Sequence, residues 1–142
     1  MAWKPKKVER PKLIDTSALA LPKVVAYVPK PEFYFRSEIH RNWVRSLPCA
    51  YCGGYGCEFA HLRLGTHTAA SETPHDYWGW PGDRVHHRNL QHKIGEFSFW
   101  NGLLGIVDPC RHILETYALK SPCPKTITLA REEYTVRYGA AA

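Results

Sequence analysis

Length, composition and charge exclude several classes of protein. The 142 residues suffice for one domain with a buried core, and 44% hydrophobic and 13% aromatic residues exclude an intrinsically disordered chain. No apolar run approaches the length of a bilayer span. The start, MAWKPKKVERPK, has no apolar stretch behind its charges, so no signal peptide is predicted. We therefore expect a soluble protein of the cytoplasm.

The positive charge is concentrated at the N-terminus. Residues 1–45 hold ten Lys and Arg against four Asp and Glu, and the rest of the chain holds nine of each. The whole net charge of +6 therefore lies in this segment. Five prolines within 1–36 predict an extended arm, with a short strand over 24–28. A basic arm is attracted to phosphate backbones without sequence preference, and a solvated tail is the alternative.

A helix and a strand are predicted after the arm. Ser37 is a typical N-cap, and apolar residues four apart predict a helix from there to Leu47, where Pro48 ends it. Residues 59–64 resemble a strand and lead into a polar loop that extends to residue 82.

Two further helices are predicted around the histidine-rich segment. Asp83 is placed to be the N-cap of a helix that ends near Gly95. A second helix begins at Glu96, and we expect it to bury Phe97 and Trp100.

One helix start is strongly predicted in the C-terminal part of the chain. Asp108 followed by Pro109 predicts a helix that extends to about residue 119. A last helix or strand covers 128–138. We expect a basic arm over 1–36, a domain over 37–120 and a C-terminal extension over 121–142 that packs on it, in an α+β fold.

The cysteines predict a metal site. Five is an odd number, which argues against a disulfide framework in a chain without a secretory signal. Cys49 and Cys52 form a C-x2-C motif on a Gly-containing turn, and two thiolates with this spacing can hold one tetrahedral Zn²⁺. The remaining ligands stay open, since either Cys57 or the pair Asp83 and His86 can complete the set.

Six of the eight histidines lie between His61 and His92. His61 ends a predicted strand, and Arg63 shares its strand face, where it can contact a phosphate. His87 and His92 are five apart, which separates them by about 140° on a regular α-helix. Both can face one metal ion only if the helix contains a π-helical turn or begins irregularly.

These residue types suit phosphodiester hydrolysis. A divalent metal held by imidazoles can polarise a scissile phosphate and stabilise the leaving 3′ oxygen. A histidine with a pKa near neutral can take the proton of the attacking water. His61, His87, His92 and Arg63 are the candidate catalytic residues.

The motifs resemble a known family over about residues 36–107. In order they are RSEIHRNWVRSLPCAYCG, AHLRLGT, PHDYW and HHRNLQHKIGEFSFW. They are similar to the HNH-like nucleases of phages and prophages, the group of the RecA-dependent Ref-type nuclease. That family reads roughly LPC-x2-CG, AH-x-R-x-GT, KPSD, PLC-x2-CH-x3-H and GE-x2-FW.

The resemblance implies a fold and a set of roles. It implies a small ββα-metal (HNH, or His-Me finger) core with a structural zinc and a catalytic divalent metal (Mg²⁺, Mn²⁺ or Zn²⁺). Cys49 and Cys52 match the first zinc pair, and His61 matches the catalytic histidine of the hairpin. His87 and His92 match the helix histidines. The implied partners are DNA and a recombinase, in the cytoplasm of a bacterial host.

This chain departs from the family pattern at three places. Asp83 and His86 stand where the family has its second cysteine pair, so Cys57 is the other candidate ligand. One residue is inserted between His87 and His92. The Lys and Ser of KPSD are Thr73 and His75 here, and the Asp of that element is Asp76.

A different function remains open on the same residues. Cys49, Cys52, Cys57 and His61 form a complete C-x2-C-x4-C-x3-H ligand set, which would use His61 structurally. The protein would then be a non-catalytic zinc module that binds nucleic acid, or a recombination accessory factor. The two interpretations differ in whether His61 shares a metal with Cys49 or points toward His87 and His92.

Overall fold

The computed structural model describes residues 33–140. It combines four α-helices and a two-stranded sheet with π-helical and 3-10 segments, so the α+β class expected from the sequence is confirmed within this range. The predicted strand over 24–28 and most of the basic arm lie outside the described residues. In chain order the elements are α1 (Glu38–Arg45), β1 (Glu58–His61), a 3-10 turn (Asp76–Trp78), β2 (Gly79–Gly82), a π-helical segment (Val85–Gln91), α2 (His92–Ile94), a second π-helical segment (Ser98–Leu103), α3 (Pro109–Thr116), a 3-10 turn (Ala118–Lys120) and α4 (Pro124–Tyr138).

Helix α1 forms where its cap predicts. The hydroxyl of Ser37 accepts a hydrogen bond from the backbone N–H of His40, and His40 and Val44 are buried. The helix ends at Arg45, two residues before the predicted end, because the chain already turns at Ser46 ahead of Pro48.

Strands β1 and β2 form an antiparallel hairpin, here called the hairpin. Glu58 pairs with Gly82 and His61 pairs with Gly79. The prediction of a polar loop up to residue 82 is therefore wrong at its end. The sequence of β2 is GWPG, and Gly and Pro are depleted in strands, so composition argued against it. In a two-stranded sheet both strands are edges, which tolerate a proline.

The segment 85–94, here called the histidine helix, begins as a π-helix and continues as α2. The backbone N–H of His92 donates to the carbonyl of His87, five residues earlier. Gly95 ends the helix with a φ of 85°, a conformation that favours glycine. The structure therefore contains a π-helical turn, one of the two irregularities that would let His87 and His92 face one metal ion.

The hydrophobic core lies between the hairpin and the C-terminal helices. Trp80 and Trp100 meet edge to face within it, with ring centroids 5.1 Å apart, and Ala130 and Tyr134 of α4 belong to the same cluster. The segment after Glu96 buries Trp100 as expected, but Phe97 is 66% exposed and Phe99 takes the inward position instead. The last element is a helix, and no helix within 33–140 combines the length and hydropathy of a bilayer span.

The close contact between Gly79 and Phe59 gives a stability prediction. A Cβ atom at Gly79 would overlap the Phe59 ring, which packs edge to face on His61 at 4.8 Å. We expect Gly79→Ala to lower the free energy of unfolding by about 1–3 kcal/mol, measured by urea denaturation.

Gly102→Ala is the matched control. No atom lies within 4 Å of a Cβ at Gly102, and its φ is not in the left-handed range. This variant should be neutral or slightly stabilised, because alanine is the better helix former. Equal stability of both variants would contradict the packing of Phe59 over Gly79.

Candidate metal centre and histidine pairs

Four side chains converge where the turn after α1 meets the start of the histidine helix. The ligand atoms of Cys49, Cys52, Asp83 and His86, here called the metal group, lie within 4.8 Å of one another. Asp83 Oδ2 is 2.8 Å from His86 Nδ1 and 3.1 Å from Cys52 Sγ. Cys49 Sγ is 3.7 Å from His86 Nδ1. Among residues 33–140 this is the one group of three or more potential ligands.

Local backbone structure presents these ligands. The N–H of Cys49 donates to the carbonyl of Gly54 and the N–H of Gly53 donates to that of Cys49, which closes the turn at 2.8 and 2.9 Å. Gly53 has a φ of 74°, a conformation that a side chain would strain. On the other side, Asp83 Oδ1 accepts the backbone N–H of His86 at 2.7 Å and so caps the helix start. Its second oxygen, Oδ2, faces Cys52 and the imidazole of His86.

The three candidate cysteines differ in the pKa of their thiols. Burial alone would raise the pKa of the Cys49 thiol, but backbone N–H groups, led by that of Asp83, outweigh it and hold the pKa below its usual value. The N–H of Gly54 would lower the pKa of Cys52, but its hydrogen bond with Asp83 and the nearby Cys49 outweigh this effect and raise that pKa. Burial raises the pKa of Cys57 to about 11. Because the thiolate is the form that binds metal, the lowered pKa favours Cys49 as a ligand.

The geometry decides between the predicted ligand sets. Cys57 lies outside the metal group, with its thiol directed at the carbonyl of Gly54 at 3.5 Å. His61 lies outside it too and contacts Asp76, so the C-x2-C-x4-C-x3-H residues do not form one ligand group in this structure. Two thiols, an imidazole and a carboxylate are all ligand types that zinc accepts, so the metal group fits a Zn²⁺ ion.

His61 points to a buried carboxylate. Its Nε2 lies 3.0 Å from Asp76 Oδ1, and the Asp76 side chain is fully buried. Arg41 of α1 donates to both Asp76 oxygens at 2.8 and 2.9 Å, and the backbone N–H of Ser37 donates at 2.7 Å. Burial would raise the pKa of Asp76, but the donors, first His61 and then Arg41, hold that pKa well below its ordinary value. The carboxylate is therefore ionised at neutral pH.

His87 and His92 lie side by side on the histidine helix. Their ring centroids are 4.9 Å apart and the rings are nearly perpendicular. Glu58 of β1 accepts from His87 Nδ1 and Arg88 Nε, both at 3.0 Å, and the hydrogen bond from His87 is the main reason that the pKa of Glu58 is lowered. The hairpin therefore orients the first of these two imidazoles through a carboxylate.

The hairpin separates His61 from this pair. Successive strand residues point to opposite faces, so Glu58 and His61 face opposite ways. Glu58 contacts His87, whereas His61 packs with Phe59 and Asp76. In this structure His61 pairs with Asp76, His87 lies beside His92, and His86 belongs to the metal group.

The chain segments beyond these histidines nevertheless meet. The backbone N–H of Arg63 donates to Glu96 at 2.9 Å, which places the end of β1 beside the end of the histidine helix. His61 is the last residue of β1, and His92 begins α2, which ends two residues later. The residues that follow these two elements therefore lie next to each other.

Arg63 has a structural role that the sequence did not predict. Its guanidinium donates to the carbonyls of Ala69, Ala70 and Glu72 and so closes the loop between the strands. These contacts use three of the five N–H donors of an exposed guanidinium. The role of Arg63 as a phosphate contact stays a prediction.

Two residues of these pairs escaped the sequence reasoning. The position of Glu58 could have been predicted. A carboxylate three positions before His61 on one strand lies on the opposite face of that strand. The role of Arg41 could not, since nothing in a helix sequence tells which carboxylate its arginine will reach.

Comparison with known proteins adds no assignment. No protein-family model, curated protein or solved structure matches this chain.

The ligand set predicts how cysteine substitution affects zinc content. Cys52→Ser should lose the ion or bind it much more weakly, because one of two thiolates is removed. Cys57→Ser is the matched control and should retain one zinc per chain. Metal analysis of the purified proteins measures both. Loss of zinc from Cys57→Ser with retention in Cys52→Ser would contradict the ligand set.

Asp76 predicts a contribution to acid stability. Its pKa is lower in the folded than in the unfolded chain, so the stabilisation is present above about pH 4 and is lost as the pH falls toward the folded pKa. Asp76→Asn should remove it. The free energy of unfolding of the wild type should therefore fall more steeply between about pH 4 and pH 2 than that of the variant. Parallel curves would show that Asp76 is not held ionised by its donors.

Proposed function

We propose that the protein is a metal-dependent endonuclease of the HNH type that hydrolyses phosphodiester bonds in DNA. The observation that supports this most is the π-helical turn, which sets His87 and His92 side by side despite their five-residue spacing. Bulges of this kind concentrate at functional sites. The order strand, strand, helix agrees with the ββα-metal core implied by the sequence resemblance.

The histidine pair suits a catalytic metal. Because Glu58 engages Nδ1 of His87, the other ring nitrogen, Nε2, is left to bind an ion, the usual arrangement of a carboxylate behind a metal-binding imidazole. Two protein ligands leave open positions for substrate. A Mg²⁺, Mn²⁺ or Zn²⁺ ion held there would supply Lewis-acid stabilisation of the scissile phosphate and of the leaving oxygen.

His61 is the proposed general base. It lies at the end of β1, is partly exposed, and has one ring nitrogen engaged by Asp76. The other nitrogen can take a proton from water that attacks the phosphate. The proposal requires His61 and the histidine pair to reach one phosphate around the hairpin, where Arg63 after β1 contacts Glu96 after the histidine helix.

The metal group has a structural role in this proposal. Zinc bound there would join the turn after α1 to the start of the histidine helix, where His86 directly precedes His87. The ion would therefore hold in place the helix that carries the proposed catalytic pair.

DNA is the proposed partner, bound through the basic arm, and a recombinase is a second partner in phage DNA processing or recombination. One observation favours a non-catalytic alternative. The metal group has four ligands, whereas His87 and His92 form only a pair. A nucleic-acid-binding module stabilised by zinc would need the metal group and not the histidine pair.

Plasmid nicking across a series of divalent metals tests the proposal. We expect the wild type to nick supercoiled DNA. His87→Ala and His92→Ala should lose activity because they bind the metal more weakly. Raising the metal concentration should therefore partly restore their activity. His61→Ala should lose about 10²–10⁴-fold in rate at saturating metal, because it removes the base.

His67→Asn is the control for these variants. His67 is exposed and has a φ of 57°, a conformation that asparagine tolerates. It should cleave like the wild type. DNA binding without cleavage by the wild type in every metal would reject the nuclease and support the non-catalytic module.

A further inference from the structure

Asp76 is the most completely bonded carboxylate of the described residues. Its Oδ1 accepts from His61 Nε2 and Arg41 Nη2, and its Oδ2 accepts from Arg41 Nε and the backbone N–H of Ser37. The side chain is 0% exposed, so no water competes for these positions. Four donors from three chain segments hold the carboxylate in one orientation.

This arrangement determines where the proton of neutral His61 lies. An ionised carboxylate can only accept hydrogen bonds, so the hydrogen between Asp76 and His61 belongs to His61 Nε2. A neutral imidazole carries one ring proton. Nδ1 is therefore the unprotonated nitrogen and has a lone pair available.

We propose that Asp76 is the positioning residue of His61, which it holds as the Nε2–H tautomer so that Nδ1 is the basic nitrogen. The catalytic part of this inference rests on the nuclease function proposed above. Arg41 takes part indirectly, because its two hydrogen bonds prevent the carboxylate from rotating away from the imidazole.

The reaction step balances with this assignment. A water O–H bond breaks and its proton moves to His61 Nδ1, while the water oxygen bonds to phosphorus. The bond from phosphorus to the 3′ oxygen breaks, and that oxygen receives a proton from solvent. His61 is then an imidazolium that keeps its Nε2 hydrogen bond to Asp76, whose negative charge stabilises it.

An Asp76 that only joined backbone segments, without a lasting hydrogen bond to His61, would not require this tautomer. The hydrogen bonds from the Arg41 guanidinium and from the N–H of Ser37 would suffice to join α1 to the 3-10 turn that begins at Asp76. In that case His61 would populate either tautomer, as an imidazole in water does. The tautomer therefore separates positioning from mere packing.

The test is a long-range ¹H–¹⁵N correlation spectrum of the full chain labelled with ¹⁵N-histidine, recorded under alkaline conditions that leave imidazoles neutral. The His61 signals are identified by their loss in His61→Gln. We expect a protonated Nε2 and an unprotonated Nδ1. A protonated Nδ1, or a mixture of tautomers, would overturn the proposal.

Two variants extend the test to activity. In Asp76→Asn, His61 should populate both tautomers. The kcat should fall about 10²–10⁴-fold, since Nδ1 is then unprotonated in only part of the molecules. The asparagine amide must place an NH₂ against an N–H of Arg41 in either orientation, so the variant is expected to be less stable. Arg41→Lys is the matched variant, because it disturbs the same carboxylate but keeps it ionised. It should retain the Nε2–H tautomer and lose less activity than Asp76→Asn.

The readouts also separate this inference from the proposed function. If Asp76→Asn does not fold, the wild-type spectrum decides on its own. An Nε2–H tautomer in a protein that cleaves no DNA in any metal would reject the nuclease while supporting the hold of Asp76 on His61. Cleavage of DNA by a protein whose His61 carries its proton on Nδ1 would reject the positioning role alone.

Discussion

The buried carboxylate of Asp76 connects more of this fold than any other polar group in the described range. It joins the segment before α1 through the N–H of Ser37, α1 through Arg41, and β1 through His61. The backbone of Asp76 adds a hydrogen bond to the carbonyl of Phe35. An ionised group inside a protein is tolerated only when its lone pairs are satisfied, and removing one partner typically costs about 3–5 kcal/mol. The positions of α1, the hairpin and the 3-10 turn are therefore interdependent.

The hairpin distributes chemistry to its two faces. One face directs His61 to Asp76, and the other directs Glu58 to His87. Each imidazole thus has one nitrogen engaged by a carboxylate and one nitrogen left over. The leftover nitrogens differ, since the engaged atom is Nε2 in His61 and Nδ1 in His87. In the proposed function, His61 would be the proton acceptor and His87 a metal ligand.

The metal group and the histidine pair depend on the same helix start. Asp83 caps the histidine helix with one oxygen and faces Cys52 with the other. His86 and His87 are neighbours, but one side chain joins the metal group and the other faces Glu58. The π-helical turn that follows brings His92 beside His87. A substitution in the metal group should therefore also alter the positions of the His87 and His92 side chains.

Local signals in the sequence predicted α1, α3 and the proximity of Cys49 and Cys52. Ser37 and Asp108 cap their helices by hydrogen bonds that need only neighbouring residues, so their prediction succeeds. The spacing of Cys49 and Cys52 places two thiols on one turn for the same reason, whereas His87 and His92 can face one ion only if their helix is irregular. Tertiary structure alone decided the rest. It brought Asp83 and His86 to Cys49 and Cys52, paired GWPG with β1, and used Arg63 to close a loop. These outcomes depend on which distant segments meet. A strand needs a second strand to pair with, a buried carboxylate needs donors and a guanidinium needs acceptors, and here these partners lie elsewhere in the chain.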